Sequence, residues 1–262
     1  MRSRTFPRFA VIVVLALAAG ATALAQRGGG FGGGGFDGFP GFRPSYTPNV
    51  RYDGQFVFVR MSYPYPNMRR DPPWAHDYPI GEEHFLKIMT AVTNLRAHVD
   101  ASSVMAFDDP EVFKFPVIYL VEPGFWWLSD SEVIALRAYL SKGGFLIVDD
   151  FPIQAWPNFD LQMSRVFPQA QWHDLDITHP IFHTFFEIRE LPTMVPYNLG
   201  HTPTFRALYE NNDPTKRMQV IANYQNDLSE YWESSDVGRF AVDPTNEAYK
   251  IGVNQFIYAL TR

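Results

Sequence analysis

The chain has 262 residues, with 28 acidic against 22 basic side chains and no cysteine. The missing thiols exclude cysteine nucleophiles, thiolate zinc sites, iron–sulfur clusters and disulfides, so the fold rests on its core alone. The acidic balance, with no basic run interleaved with aromatics, argues against nucleic acid as a partner.

Residues 1–25 read as a secretory signal peptide. Arg2, Arg4 and Arg8 precede an apolar run from Phe9 to Ala19, and Ala23-Leu24-Ala25 forms an A-x-A cleavage site. The run is too short for a comfortable membrane span. The expectation is an exported chain, periplasmic or secreted, with no integral span once the signal is cleaved; a retained anchor is the alternative. Losing those three of the 22 basic residues leaves 19 against 28 acidic ones, a net charge near −9. Residues 26–50 are dense in glycine, proline and phenylalanine. They cannot bury enough surface to offset ordering entropy and read as a disordered tether. Residues 51–262 are expected to form a single α/β domain.

Within that region, Gln55–Arg60 is a predicted strand and Arg69–Pro79 (RRDPPWAHDYP) a proline-rich loop. Glu82–Leu95 carries Phe85, Ile88, Met89 and Val92 at helical spacing, with Glu82 and Glu83 suited to a positive helix start. Pro116–Val121 is an apolar strand ending in Glu122. Ser129-Asp130-Ser131-Glu132 is a capping box that opens a helix, which Lys142-Gly143-Gly144 closes. The next strand, GGFLIVDDF, runs four apolar residues straight into Asp149 and Asp150. Strand, helix, strand at this spacing is a βαβ unit and implies a parallel sheet covered on both faces. A short helix is expected over Phe159–Val166. Arg206–Glu210 and Met218–Tyr224 flank Asn-Asn-Asp-Pro as an antiparallel pair, and a last helix is expected from Asp243-Pro244, as cap and first-turn proline. The expected fold class is α/β, doubly wound, mostly parallel, with a late antiparallel pair.

Several phrases resemble the DUF4159 family, a domain of unknown function. They are Trp74-Ala75-His76-Asp77-Tyr78-Pro79 with Glu82 and Phe85, Asp109 to Pro116, Leu136 to Leu140 with GGFLIVDD, His179-Pro180-Ile181-Phe182, Asp227-Leu228 and Trp232-Glu233. That family is similar to class I glutamine amidotransferase-like domains, so the resemblance implies a flavodoxin-like α/β arrangement but no established reaction. It also implies an exclusion. Amidotransferases place a cysteine in the turn after the strand corresponding to GGFLIVDDF and follow His-Pro with Glu. Here the turn holds Asp149 and Asp150, and His179-Pro180 precedes Ile181, so glutaminase chemistry is out. No G-x-S-x-G occurs, which removes an α/β-hydrolase reading as well.

Parallel sheets bind ligands outside the carboxyl ends of their strands. Glu122, Asp149 and Asp150 lie at such ends. Asp149 and Asp150 either hold a divalent cation or supply a general base, or else one caps a helix while the other is solvated. Asp77, in a cluster with His76, Glu82, Glu83 and His84, is a ligand candidate, against a loop anchored by helix-dipole pairing. His179 is a candidate acid or base, against a packed, hydrogen-bonded ring. Asp227 and Trp232 could complete a pocket. Arg60 is the expected counter-charge, and Asp77 is expected within roughly 10 Å of Asp149 or Asp150, a pocket-sized span.

The function favoured by this reading is binding rather than catalysis. An exported domain without its thiol would recognise a small polar ligand or an envelope protein through Arg60, Asp77, Glu82, Glu122, Asp227 and Trp232, with no cofactor implied. The alternative is a metal-assisted hydrolase or carbohydrate-processing enzyme using Asp77, Asp149 and Asp150, with His179 as acid or base.

Overall fold

The computed structural model describes residues 48–66, 71–191 and 203–262. The signal peptide, nearly all of the tether, and Arg69 and Arg70 of the proline-rich loop lie outside them. The strands are β1 (Val59–Ser62), β2 (Ser103–Ala106), β3 (Val117–Val121), β4 (Phe145–Asp149), β5 (His173–Asp174), β6 (Thr204–Tyr209) and β7 (Met218–Tyr224). The α-helices are α1 (Ile80–Val92), α2 (Asp130–Ser141), α3 (Trp156–Val166), α4 (Leu228–Glu233) and α5 (Val242–Thr261).

One sheet gathers all seven strands in the order β2-β1-β3-β4-β7-β6-β5. β2, β1, β3, β4 and β7 run parallel, while β6 pairs antiparallel with β7 and β5 antiparallel with β6. β3 shows why the central strands read as continuous apolar runs. Val117, Tyr119 and Val121 point into one core with residues of α1, α4 and α5, and Ile118 and Leu120 point into the other with residues of α2 and α3. Both faces are dry, so neither has room for a polar alternation.

The capping box forms as expected: Ser129 Oγ accepts from Glu132 N at 3.2 Å, and Glu132 reaches back to Ser129 N at 2.9 Å. Gly143 then takes φ +113, and Gly144 sits where a Cβ would lie 2.3 Å from the Tyr139 ring. Only glycine permits that approach, and it brings β4 directly under α2.

Several expected boundaries move. The first strand begins at Val59 rather than Gln55, because its ladder starts only where Val59 meets Ser103; Phe56 makes an isolated bridge to Ala97. α1 ends at Val92, capped at Thr93, rather than at Leu95. α5 starts at Val242 behind Ala241, so Asp243 and Pro244 fall inside its first turn and Asp243 is not the cap. β2 and β5 carry too few β-branched or aromatic residues to be read from sequence. Among the described residues, no helix is long and apolar enough to cross a membrane.

Candidate functional site

Three neighbouring parallel strands end in the same unusual way. Glu122 follows β3 at φ 51, Asp150 follows β4 at φ 48 and Gln225 follows β7 at φ 61. Asp77, just before α1, has φ 62. A left-handed conformation costs a side-chain-bearing residue about 1 kcal/mol or more and concentrates at sites that need a side chain aimed off the regular path. Here it separates two adjacent aspartates.

Asp149 stays on the strand and is consumed by structure. Its Oδ2 accepts from Tyr119 Oη at 2.5 Å and from the backbone N–H groups of Leu228 and Ser229 at 2.8 and 3.0 Å, and its Oδ1 accepts from Asn223 Nδ2 at 3.0 Å. Leu228 and Ser229 open α4, so a β4 carboxylate anchors a helix start 79 residues along the chain. Burial pushes its carboxyl up, against the pull of these donors. The capping role foreseen for one aspartate is real, but the helix is α4, not the one that follows, and neither aspartate is solvated.

Asp150 turns elsewhere. Its Oδ2 lies 3.0 Å from His76 Nδ1, and Glu122 Oε1 lies 3.7 Å from the same nitrogen. Ser229 Oγ donates to Asp77 Oδ2 at 2.7 Å and lies 3.3 Å from Asp227 Oδ1, which also caps α4 by accepting from Glu230 N at 3.0 Å. Ligand atoms of His76, Asp77 and Asp150 all lie within 4.8 Å of one another, as do those of Asp77, Glu230 and Glu233. Asp77, Asp150 and Asp227 are buried, whereas the His76 side chain is 58 % exposed and forms the outward rim.

The electrostatics follow from this crowding. Burial, with Asp150 adding to it, pushes Asp77 up to about 7 against the pull of Ser229 and Arg60. Burial and then Asp150 push Glu122 up to about 8. Burial, followed by Asp150, Asp77 and Asp149, holds Asp227 well above the carboxylate range. The hydrogen bond to Asp150 raises His76 to about 9. Carboxylates this close must take up protons or a cation.

Four of the sequence candidates therefore converge: Asp77, Asp150, Glu122 and Asp227. The others need correction. Arg60 and Glu82 are both buried and form an ion pair with each other; the guanidinium also donates to the carbonyls of Trp74 and His76 at 3.2 and 2.8 Å. Arg60 thus holds the loop in place and lends Asp77 its field. Asp149 is spent on Tyr119, Asn223 and α4. Trp232 is a core ring, tilted against Phe85 at 4.4 Å between centroids, because its helical register points it inward. His179 caps the turn at Pro180–His183 and meets Tyr209, which pairs with Met218 at the start of β7. That is the opposite end of the sheet.

Sequence reading missed Ser229, Tyr119 and Asn223. The spacing of Asp227 and Glu230 was a usable signal for the cap that sets Ser229 in place. Nothing in the sequence marks the tyrosine and asparagine, which serve Asp149 only through the β3–β4–β7 neighbourhood.

Residues 55–260 match the family described as "Domain of unknown function (DUF4159)". No curated protein matches the chain.

Proposed function

Since the chain belongs to the DUF4159 family, we propose that it is an exported, non-catalytic binding domain of glutamine amidotransferase-like, flavodoxin-like kind. It takes a small polar ligand bearing positive charge at the carboxyl ends of β3, β4 and β7. The strand order β2-β1-β3-β4, with helices on both faces, supports the fold part of this reading. The basic, apolar and A-x-A segments at the start of the chain support export. One observation carries the ligand class. Asp77, Glu122, Asp150 and Asp227 crowd together while the neighbouring Arg60 is already neutralised by Glu82. A cation entering there would displace the protons that Asp77, Glu122 and Asp227 hold and compete with His76 for Asp150.

A second reading has its own support. His76, Asp77 and Asp150 offer one imidazole and two carboxylates within 4.8 Å, a donor set suited to zinc or manganese. A metal so held would lower the pKa of a bound water and make the domain a metal-assisted hydrolase. Asp149 and His179 take no part in that version.

Thermal shift and titration calorimetry of the full chain with Mn²⁺, Zn²⁺, Ca²⁺ and putrescine separate the two. Stabilisation by putrescine as well as metals, lost in Asp150→Asn, supports the binding reading. Stabilisation by metal alone, together with metal-dependent cleavage of p-nitrophenyl esters or phosphates, supports the hydrolase. Indifference to every cation removes both.

A further inference from the structure

We propose that the opposite end of the sheet carries a second binding site, which takes a short, uncharged oligosaccharide. The proposal is independent of the acidic end. A cleft of about 710 Å³ opens where β4 and β7 begin, between the end of α2, the chain following α3, and the turn after β6. That volume falls within the span of small-ligand sites, roughly 300–1,000 Å³.

Its walls are fixed by the protein's own hydrogen bonds. Asn212 Nδ2 donates to Gln169 O at 2.7 Å and Asn212 Oδ1 accepts from Gln171 N at 2.9 Å, which locks the turn after β6 to the chain after α3. Arg217 donates to the carbonyls of Gly144 and Leu140, which closes the α2 side. Asn211 and Asn212 are consecutive left-handed residues, at φ 59 and 57, and both line the cleft. A site built this way loses little entropy on binding.

The lining chemistry selects the ligand. Gln169, Asn211 and Gln219 bring side-chain amides, and Ser141 brings a hydroxyl. Gln219 is buried and its Nε2 donates to Leu140 O at 3.3 Å, so its carbonyl oxygen is the end left for a ligand. Each amide pairs a donor with an acceptor, as each sugar hydroxyl does. Phe167 and Ala170, both only partly buried, supply apolar surface for the C–H face of a sugar ring. The charge on Glu210 is met by Arg217 at 4.0 Å, so the cleft offers no uncompensated charge to hold an ion.

Saturation-transfer NMR on the full chain, with cellobiose, maltose and chitobiose as probes, tests the assignment. Transfer onto the ring protons of at least one probe is expected. Gln169→Ala combined with Asn211→Gly should weaken that binding about tenfold, the loss of two neutral hydrogen bonds. Both positions are exposed, and glycine suits the left-handed one, so the fold should survive; circular dichroism checks this, and Gln169→Ala alone serves as a milder variant. No transfer from any of the three sugars overturns the proposal. So does unchanged affinity in the variants, or displacement of the sugar by an equal concentration of trialanine.

Discussion

The two ends of one sheet handle polarity in opposite ways. At the carboxyl end, Asp77, Asp149, Asp150 and Asp227 are buried together, and left-handed residues follow β3, β4 and β7. At the amino end, arginine and amide side chains close off carbonyls, and the cleft there is neutral. The asymmetry is a property of parallel sheets. Strands leaving at the carboxyl end meet helix starts, whose N–H groups welcome negative charge, as α4 does with Asp149 and Asp227. The amino end meets helix ends, whose carbonyls need donors such as Arg217. The carboxyl end can therefore store charge for a ligand, and the amino end can offer only neutral contacts.

The sharpest way to break this contrast is to remove the charge that the fold itself uses. Asp149→Ala leaves Tyr119, Asn223 and two α4 N–H groups without their acceptor. Orphaning a buried, hydrogen-bonded charge site of this kind costs about 3–5 kcal/mol. Urea unfolding should show a loss of that size. Asp150→Asn keeps a side-chain oxygen facing His76 and touches none of the four donors that Asp149 holds, so its loss should be smaller. Equal losses for the two variants would mean that the division of labour between the neighbouring aspartates is wrong.

That division marks how far the sequence could be read. The βαβ unit, the capping box and the late antiparallel pair were legible because apolar runs, S-x-x-E and Asn-Asn-Asp-Pro each act locally. The placement of acids at the carboxyl end was legible too, since strand direction follows from connectivity. What the sequence withheld was rotation. Period-two reasoning sends Asp149 and Asp150 to opposite faces, and only the left-handed turn at Asp150 decides that it meets His76 and Asp77. Trp232 was misplaced because a six-residue helix has too short a pattern to show which side faces the core. His179 was misplaced because a histidine beside a proline says nothing about which end of the sheet its loop visits.

The next effect is in pH. Folding raises Asp77 from 3.8 to about 7, Glu122 from 4.5 to about 8 and His76 from 6.5 to about 9. In each case the folded chain holds a proton that the unfolded chain has released. Stability tied to these groups is full below about pH 4 for the acids and about pH 6.5 for His76, and it is lost as pH climbs through the folded values. The melting temperature should fall by several degrees between pH 5 and pH 9, as one kcal/mol moves Tm by roughly 2–4 °C in a chain of this size. Asp77→Asn keeps an acceptor for Ser229 while removing one titration, so it should flatten the decline and melt above wild type at pH 8. Saturating Mn²⁺ should flatten it in wild type. A decline of equal slope in the variant would detach the pH effect from this cluster.

The smallest effect belongs to the other end and carries the opposite sign. His179 accepts from Ile181 N at 3.2 Å and lies 3.0 Å from the Tyr209 hydroxyl, and burial lowers its pKa below 6.5. Asp176 pulls the other way and His183 adds to the lowering, so the net shift is modest. The unfolded chain therefore binds this proton more readily than the folded one. The stability contributed by His179 is present above pH 6.5 and lost as pH falls through its lowered value. His179→Gln retains a side-chain acceptor for Ile181 N and cannot titrate. Its melting temperature at pH 7.5 should lie within about 2 °C of wild type, the scale of a single surface-proximal hydrogen bond. Between pH 7 and pH 5 the variant should lose less than wild type, whereas Asp77→Asn should gain less, because Asp77 titrates between 3.8 and about 7 and its contribution rises as pH falls. If both substitutions changed the slope over that range with the same sign, the two ends would be titrating as one system, and the contrast between them would have no electrostatic basis.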